Sequence, residues 1–133
     1  MTDPQDAGTD TGRARRLVMI VDDNARVLAT LERMIAQWGF DTAPFGEFEP
    51  ARSFLLTGPT LHALVVDIRL GEYNGLQLML LARQAAPALK IAAISGYDDR
   101  VLRSEAAQIG AVYILKPTEL QTLKEYLSPT QES

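Results

Sequence analysis

The chain has 133 residues, 47% hydrophobic and 23% charged, enough to build one packed core but not two. Its 13 Lys and Arg against 17 Asp and Glu give a net charge of -4, which repels phosphate backbones and anionic lipid and argues against direct nucleic-acid binding, while its longest apolar runs, Leu17 to Val21 and Ala63 to Val66, are too short to span a membrane. Cysteine is absent, which excludes disulfides, thiolate catalysis and cysteine zinc sites and makes a reducing, cytoplasmic setting the simplest expectation.

Residues 1–14 hold little that could be buried, and Asp3, Asp6 and Asp10 stand where a signal peptide would be basic and then apolar, so this segment is expected to be a disordered tail. From Leu17 short apolar runs alternate with longer segments of helical period, the pattern of an α/β protein with a parallel sheet. Leu17 to Val21 predicts the first strand. Val27, Leu28, Leu31, Met34, Ile35 and Trp38 follow on one broad helical face, closed by Gly39. Phe40 to Ala43 is the weakest strand and is expected at an edge, followed by a helix over Phe48 to Leu56.

The third strand, Ala63 to Val66, precedes a helix over Leu76 to Gln84, and the fourth, Ile91 to Ile94, precedes one over Val101 to Ile109. Gly110 separates that helix from the last strand, Val112 to Leu115. A helix over Leu120 to Leu127 ends the series, with Thr118 and Gln121 spaced as a capping box. The expected domain is 15–128, with a short tail at 129–133. No output domain is expected in what remains, so the chain would act through protein contacts or be a piece of a longer one. Right-handed crossovers favour a doubly wound sheet, in which ligands collect at the carboxyl ends of the strands.

Charged and polar residues stand at those ends. Asp22 and Asp23 follow the first strand and Asp67 the third, so three carboxylates share one sheet edge, where they repel one another unless a cation or proton intervenes. Oxygen ligands without His or Cys suit Mg²⁺ better than zinc. Ser95 and Gly96 end the fourth strand and offer a hydroxyl and an unobstructed backbone to a phosphoryl oxygen. Lys116, before Pro117, adds one ammonium at the same rim. Each feature alone is unremarkable; their order at successive strand ends is what carries weight.

This ordered set resembles the receiver domain of bacterial two-component response regulators, over Arg15 to Leu127. The resemblance implies a flavodoxin-like (βα)5 fold with strand order 2-1-3-4-5. It implies that Asp67 accepts a phosphoryl group from a histidine kinase or histidine phosphotransfer protein. Asp22, Asp23, Asp67 and the Arg69 backbone carbonyl would hold Mg²⁺, and Ser95, Gly96 and Lys116 would bind the phosphate. It further implies a cis Lys116–Pro117 peptide and a switch through Ser95 and Tyr113, whose ring would move inward on phosphorylation. The surface of the fourth and fifth helices and last strand would then change toward an unidentified downstream protein, or toward a second copy in a phosphorylation-dependent homodimer.

Gly71 stands where many receivers have proline, so that loop is expected to be looser, with Asn74 and Gly75 preserving its turn chemistry. Arg69 and Tyr97 flank the pocket, and such a bulky pair would slow the attack of water on an acyl phosphate. His62, the single histidine, is expected at the surface without a partner. A flavodoxin-like cofactor protein is a competing reading, but Asp22-Asp23-Asn24-Ala25 replaces its phosphate loop. An aspartate-nucleophile phosphatase would need a cap this chain has no room for. A degenerate, purely binding receiver is opposed by the complete set of Asp22, Asp23, Asp67, Ser95 and Lys116.

Overall fold

In the computed structural model, residues 15–71 and 74–129 are described, and among them five strands alternate with five helices. They run β1 (Leu17–Val21), α1 (Ala25–Gln37), β2 (Asp41–Phe45), α2 (Phe48–Thr57), β3 (Ala63–Asp67), α3 (Asn74–Ala85), β4 (Lys90–Ser95), α4 (Arg100–Ile109), β5 (Val112–Leu115) and α5 (Leu120–Leu127). The expected N-terminal tail, and all but Pro129 of the C-terminal one, lie outside the described residues.

All four strand pairings are parallel and the order is β2-β1-β3-β4-β5, the flavodoxin-like doubly wound arrangement. The alternation of side chains along each strand explains why both faces need cover. Val18 and Ile20 of β1, Val65 of β3 and Ile94 of β4 pack with Leu31 and Ile35 of α1 and with Leu123 and Leu127 of α5. Met19, Val21, Leu64 and Val66 point the other way, onto Ala51 of α2, Leu78 and Met79 of α3, and Leu102 and Ala106 of α4. The central strands are therefore buried on both sides, and each of these large side chains contributes roughly 1.5–3 kcal/mol over exposure.

Local chemistry sets the ends of the elements. Asn24 caps α1, its side-chain oxygen accepting from the Arg26 and Val27 amides at 3.0 Å each. Gly110 closes α4 with φ 85°, a left-handed conformation that L side chains rarely adopt.

Three expectations about local structure need correction. β2 begins one residue later and runs on through Pro44 to Phe45; proline is tolerated because β2 is an edge strand with one unpaired side. The pair Asn74 and Gly75 does not form a turn: these residues open α3, and Gly75 is buried. No capping box forms at α5, whose N-cap is Glu119 without a side-chain cap bond. The Glu119 carboxylate instead accepts from the Leu115 amide at 2.9 Å, tying the helix start back to β5.

His62 also has partners. Its Nε2 lies 2.7 Å from the Leu127 carbonyl oxygen, and its ring stacks on Phe40 with centroids 5.4 Å apart. It precedes β3, at the opposite end of the sheet from the acidic cluster, so it pins α5 rather than serving that edge.

Candidate functional site

Parallel pairing brings the strand ends level, and hydrogen bonds carry the ladder one residue further. The Asp22 amide donates to Phe45 O at 3.1 Å, Ile68 N to Ile94 O at 3.0 Å, and Lys116 N to Ser95 O at 2.7 Å. With the β1–β3 pairing, all five strand ends are thereby fixed side by side, and the residues after them inherit that placement. Asp22, Asp23, Asp67, Ser95 and Lys116, chosen from sequence, all stand on this one edge. The Lys116–Pro117 peptide is cis.

Carboxylate oxygens of Asp22, Asp23 and Asp67 lie within 4.8 Å of one another. Asp22 is fully buried; its Oδ1 accepts from the Asn24 amide at 2.9 Å and its Oδ2 faces Lys116 Nζ at 3.3 Å. Asp67 Oδ1 accepts from the Arg69 amide at 3.0 Å, and the exposed Asp23 accepts from the Gly71 amide at 3.3 Å. Proline at position 71 would lack that N–H, and Gly71 has φ 54°, which a proline ring cannot reach. Glycine at this position therefore gives the loop a backbone tie to Asp23.

Three acidic side chains share one ammonium here, a grouping whose net negative charge favours a bound cation. All-oxygen donors without His or Cys fit a hard divalent ion such as Mg²⁺. Burial, the largest influence, pushes the Asp67 carboxyl above the ordinary carboxylate range; Asp22 and Asp23 push the same way, while the Arg69 amide and Lys116 pull it down. A raised carboxyl pKa in the folded state means the native protein holds its proton more tightly than the unfolded chain. Without divalent ion, stability therefore falls as pH rises from the ordinary carboxylate range through the raised value. Asp67→Asn removes that loss: at neutral pH in chelator its melting temperature is expected to exceed wild type by a few degrees, a gap that Mg²⁺ narrows, as thermal unfolding can measure.

Ser95 is fully buried, and its Oγ accepts from the Tyr97 amide at 3.1 Å. Gly96 has open space where a Cβ would lie. Tyr113, 8% exposed, donates its hydroxyl to the Tyr97 carbonyl at 2.6 Å, and the Arg103 guanidinium lies 4.5 Å from its ring centre. The ring is thus largely buried, with its hydroxyl held on the loop that follows Ser95.

Two acidic residues before α4 went unnoticed in the sequence. Asp99 caps α4, accepting from the Leu102 amide at 3.0 Å, and Asp98 holds Arg103 at 2.8 Å. The signal was available as two carboxylates preceding a helical run, with an arginine further along it. The Arg69 guanidinium lies 5.4 Å from the Tyr97 ring centre and 3.8 Å from Asp99 Oδ2, so the two flanking residues touch as a pair.

A family description, response regulator receiver domain, matches residues 18–128. Among curated relatives, the transcriptional regulatory protein PrrA of Mycobacterium leprae is 35% identical over 119 residues, covering 86% of this chain and 49% of that protein. The photosynthetic apparatus regulatory protein RegA of Rhodobacter capsulatus is 28% identical over 119 residues, covering 89% of this chain and 64% of its own. The chain spans from 25% to 65% of the length of the first three such relatives. A solved response regulator from Thermotoga maritima superposes with a TM-score of 0.72 at 27% identity, covering 87% of this chain and all of that one. A receiver domain protein from Methanospirillum hungatei gives 0.76 at 22% identity, covering 86% and 94%.

Proposed function

The chain belongs to the response regulator receiver domain family, whose members are signalling phosphoacceptors, and from that premise we propose that Asp67 is its phosphoacceptor. A carboxylate oxygen of Asp67 attacks the phosphorus of a phosphohistidine or small acyl phosphate donor. The bond from phosphorus to the donor breaks with its electron pair leaving on the donor, and an aspartyl phosphate results.

The carrying observation is the cluster itself, three carboxylates within 4.8 Å beside Lys116 Nζ at 3.3 Å from Asp22. Asp22, Asp23, Asp67 and the Arg69 backbone carbonyl would hold Mg²⁺, which when bound offsets charge on the transferring phosphoryl group. Lys116 pairs with Asp22 at rest and takes a phosphoryl oxygen after transfer. The Ser95 hydroxyl and the amides following Asp67 and Ser95 bind the remaining oxygens. Arg69 and Tyr97, in contact beside Asp67, shield the acyl phosphate from water. The domain that does this spans 15–128.

Ser95 and Tyr113 make the switch. With Tyr113 already seated on the Tyr97 carbonyl, phosphorylation consolidates this arrangement, and the surface of α4, β5 and α5 becomes the readout. The upstream partner is a histidine kinase or histidine phosphotransfer protein; the downstream one is a protein, or a second phosphorylated copy. No helix among the described residues is long and apolar enough to cross a membrane. A cytoplasmic setting, where such kinases present their phosphohistidine, accords with a chain without cysteine.

Incubation with acetyl phosphate and Mg²⁺ tests the reading. Intact-mass measurement should show one base-labile phosphoryl group on the wild type and none on Asp67→Asn or on wild type in chelator. Equal uptake by Asp67→Asn would move the acceptor elsewhere.

A further inference from the structure

Arg69 stands two residues beyond the phosphoacceptor, yet its side chain reaches a different element. Its backbone amide donates to Asp67 Oδ1 at 3.0 Å, while its guanidinium sits 3.8 Å from Asp99 Oδ2. Asp99 is committed through two groups: its Oδ1 caps α4 through the Leu102 amide, and its own amide donates to Tyr97 O at 3.1 Å and, more distantly, to the Tyr113 hydroxyl at 3.5 Å. One residue therefore connects the phosphoacceptor loop electrostatically to the first turn of α4 and to the partner of the Tyr113 ring.

Resting on the assignment of Asp67 above, we infer that Arg69 is a positioning residue that exchanges partners on phosphorylation, leaving Asp99 for the phosphoryl group and so releasing the acidic start of α4. The contact with Asp99 is weak. Both side chains are more than a third exposed, at 41% and 34%, their separation is near the limit for an ion pair, and solvent screens it. A phosphoryl group brings roughly -1.5 to -2 charges and three strong acceptor oxygens to a carboxylate already bonded to the Arg69 backbone.

Guanidinium geometry favours the planar fork of phosphate oxygens over a single distant carboxylate oxygen. The Tyr97 ring under the guanidinium supports the side chain at its present end. Asp98 is held separately by Arg103 at 2.8 Å, so Asp99 is the carboxylate that changes state. The first turn of α4, with Val101 65% exposed beside it, then presents a carboxylate held by the helix cap and no longer by Arg69, next to an apolar side chain. This converts a covalent event at β3 into a new charge pattern on α4, with no large movement of the backbone.

Solution NMR on the full chain, with acetyl phosphate and Mg²⁺ as the probe, separates the outcomes. A protein-bound acyl phosphate ³¹P signal, resolved from that of acetyl phosphate and absent in Asp67→Asn, first establishes that Asp67 is modified. In the wild type, the Arg69 Nε–H and Asp99 carboxyl carbon resonances are expected to shift together on modification. Unmodified Arg69→Met should already place the Asp99 carbon where modified wild type places it. In Asp99→Asn, which retains a capping side chain, the modified Arg69 resonance should coincide with that of modified wild type. An Arg69 resonance that stays put in phosphorylated wild type overturns the exchange. So does an Asp99 carbon that is the same in unmodified Arg69→Met as in unmodified wild type. Absence of a protein-bound acyl phosphate signal, or its persistence in Asp67→Asn, overturns the phosphoacceptor assignment, and this inference with it.

Discussion

Alanine at Gly75 is expected to lower folding stability by about 2–4 kcal/mol and to abolish phosphoryl uptake at the same time. Gly75 is the second residue of α3, and the helix enters there directly across the end of β3. A Cβ on it would lie 2.3 Å from the Asp67 carbonyl oxygen and 2.9 Å from the Ile68 carbonyl carbon and Cα. All three atoms are backbone, so no side-chain rotation can relieve the clash. Either α3 moves away from Leu64 and Val66, or the peptide that carries Asp67 rotates. Gly46→Ala is a fair control, since its nearest neighbour would stand 3.7 Å away, an ordinary contact. Urea unfolding should separate the two variants clearly, and equal midpoints would contradict the packing described.

Methionine at Lys116 preserves the aliphatic stem and removes only the charge. Phosphoryl uptake is expected to slow by about 100-fold or more, the usual scale for losing one fixed charge aimed at a transferring group. Stability in chelator should fall by about 2–3 kcal/mol, because Asp22 is fully buried and loses its cation. That range lies at the low end for a broken buried pair, since Lys116 itself is 21% exposed. Mg²⁺ should restore much of the stability and little of the rate, because a bound dication relieves Asp22 but cannot act from the lysine side. Chemical unfolding with and without Mg²⁺ reads the first effect, and stopped time courses with acetyl phosphate read the second. A stability deficit indifferent to Mg²⁺ would mean that Asp22 takes no part in a metal site.

The fold was readable because buried strands and amphipathic helices leave different periods, and β1, β3, β4 and β5 each show a continuous apolar run. β2 runs beyond its short apolar stretch through Pro44 to Phe45, and its position at the sheet edge is what makes a proline acceptable there. The capping pattern at Thr118 misled because Glu119 finds a better acceptor role on the Leu115 amide, a tertiary contact outweighing a local one. The strand-end residues were legible since parallel register converts chain order into spatial proximity.

What escaped the sequence depends on contacts between elements. The tie from His62 to Leu127 joins positions 65 residues apart. The packing of Gly75 on Asp67, and the meeting of Arg69 with Asp99, require the loop after β3 to be folded against its neighbours. Residue type alone carries no trace of either, because glycine and arginine serve many roles in loops.

The residue that receives the phosphoryl group decides the chemistry of this edge. Borohydride reduction of the acetyl phosphate-treated protein, followed by peptide mass spectrometry, converts an aspartyl phosphate to homoserine and so marks the acceptor. Homoserine at position 67, dependent on Mg²⁺, is the predicted result. Homoserine at another aspartate, or none after measurable uptake, would contradict it.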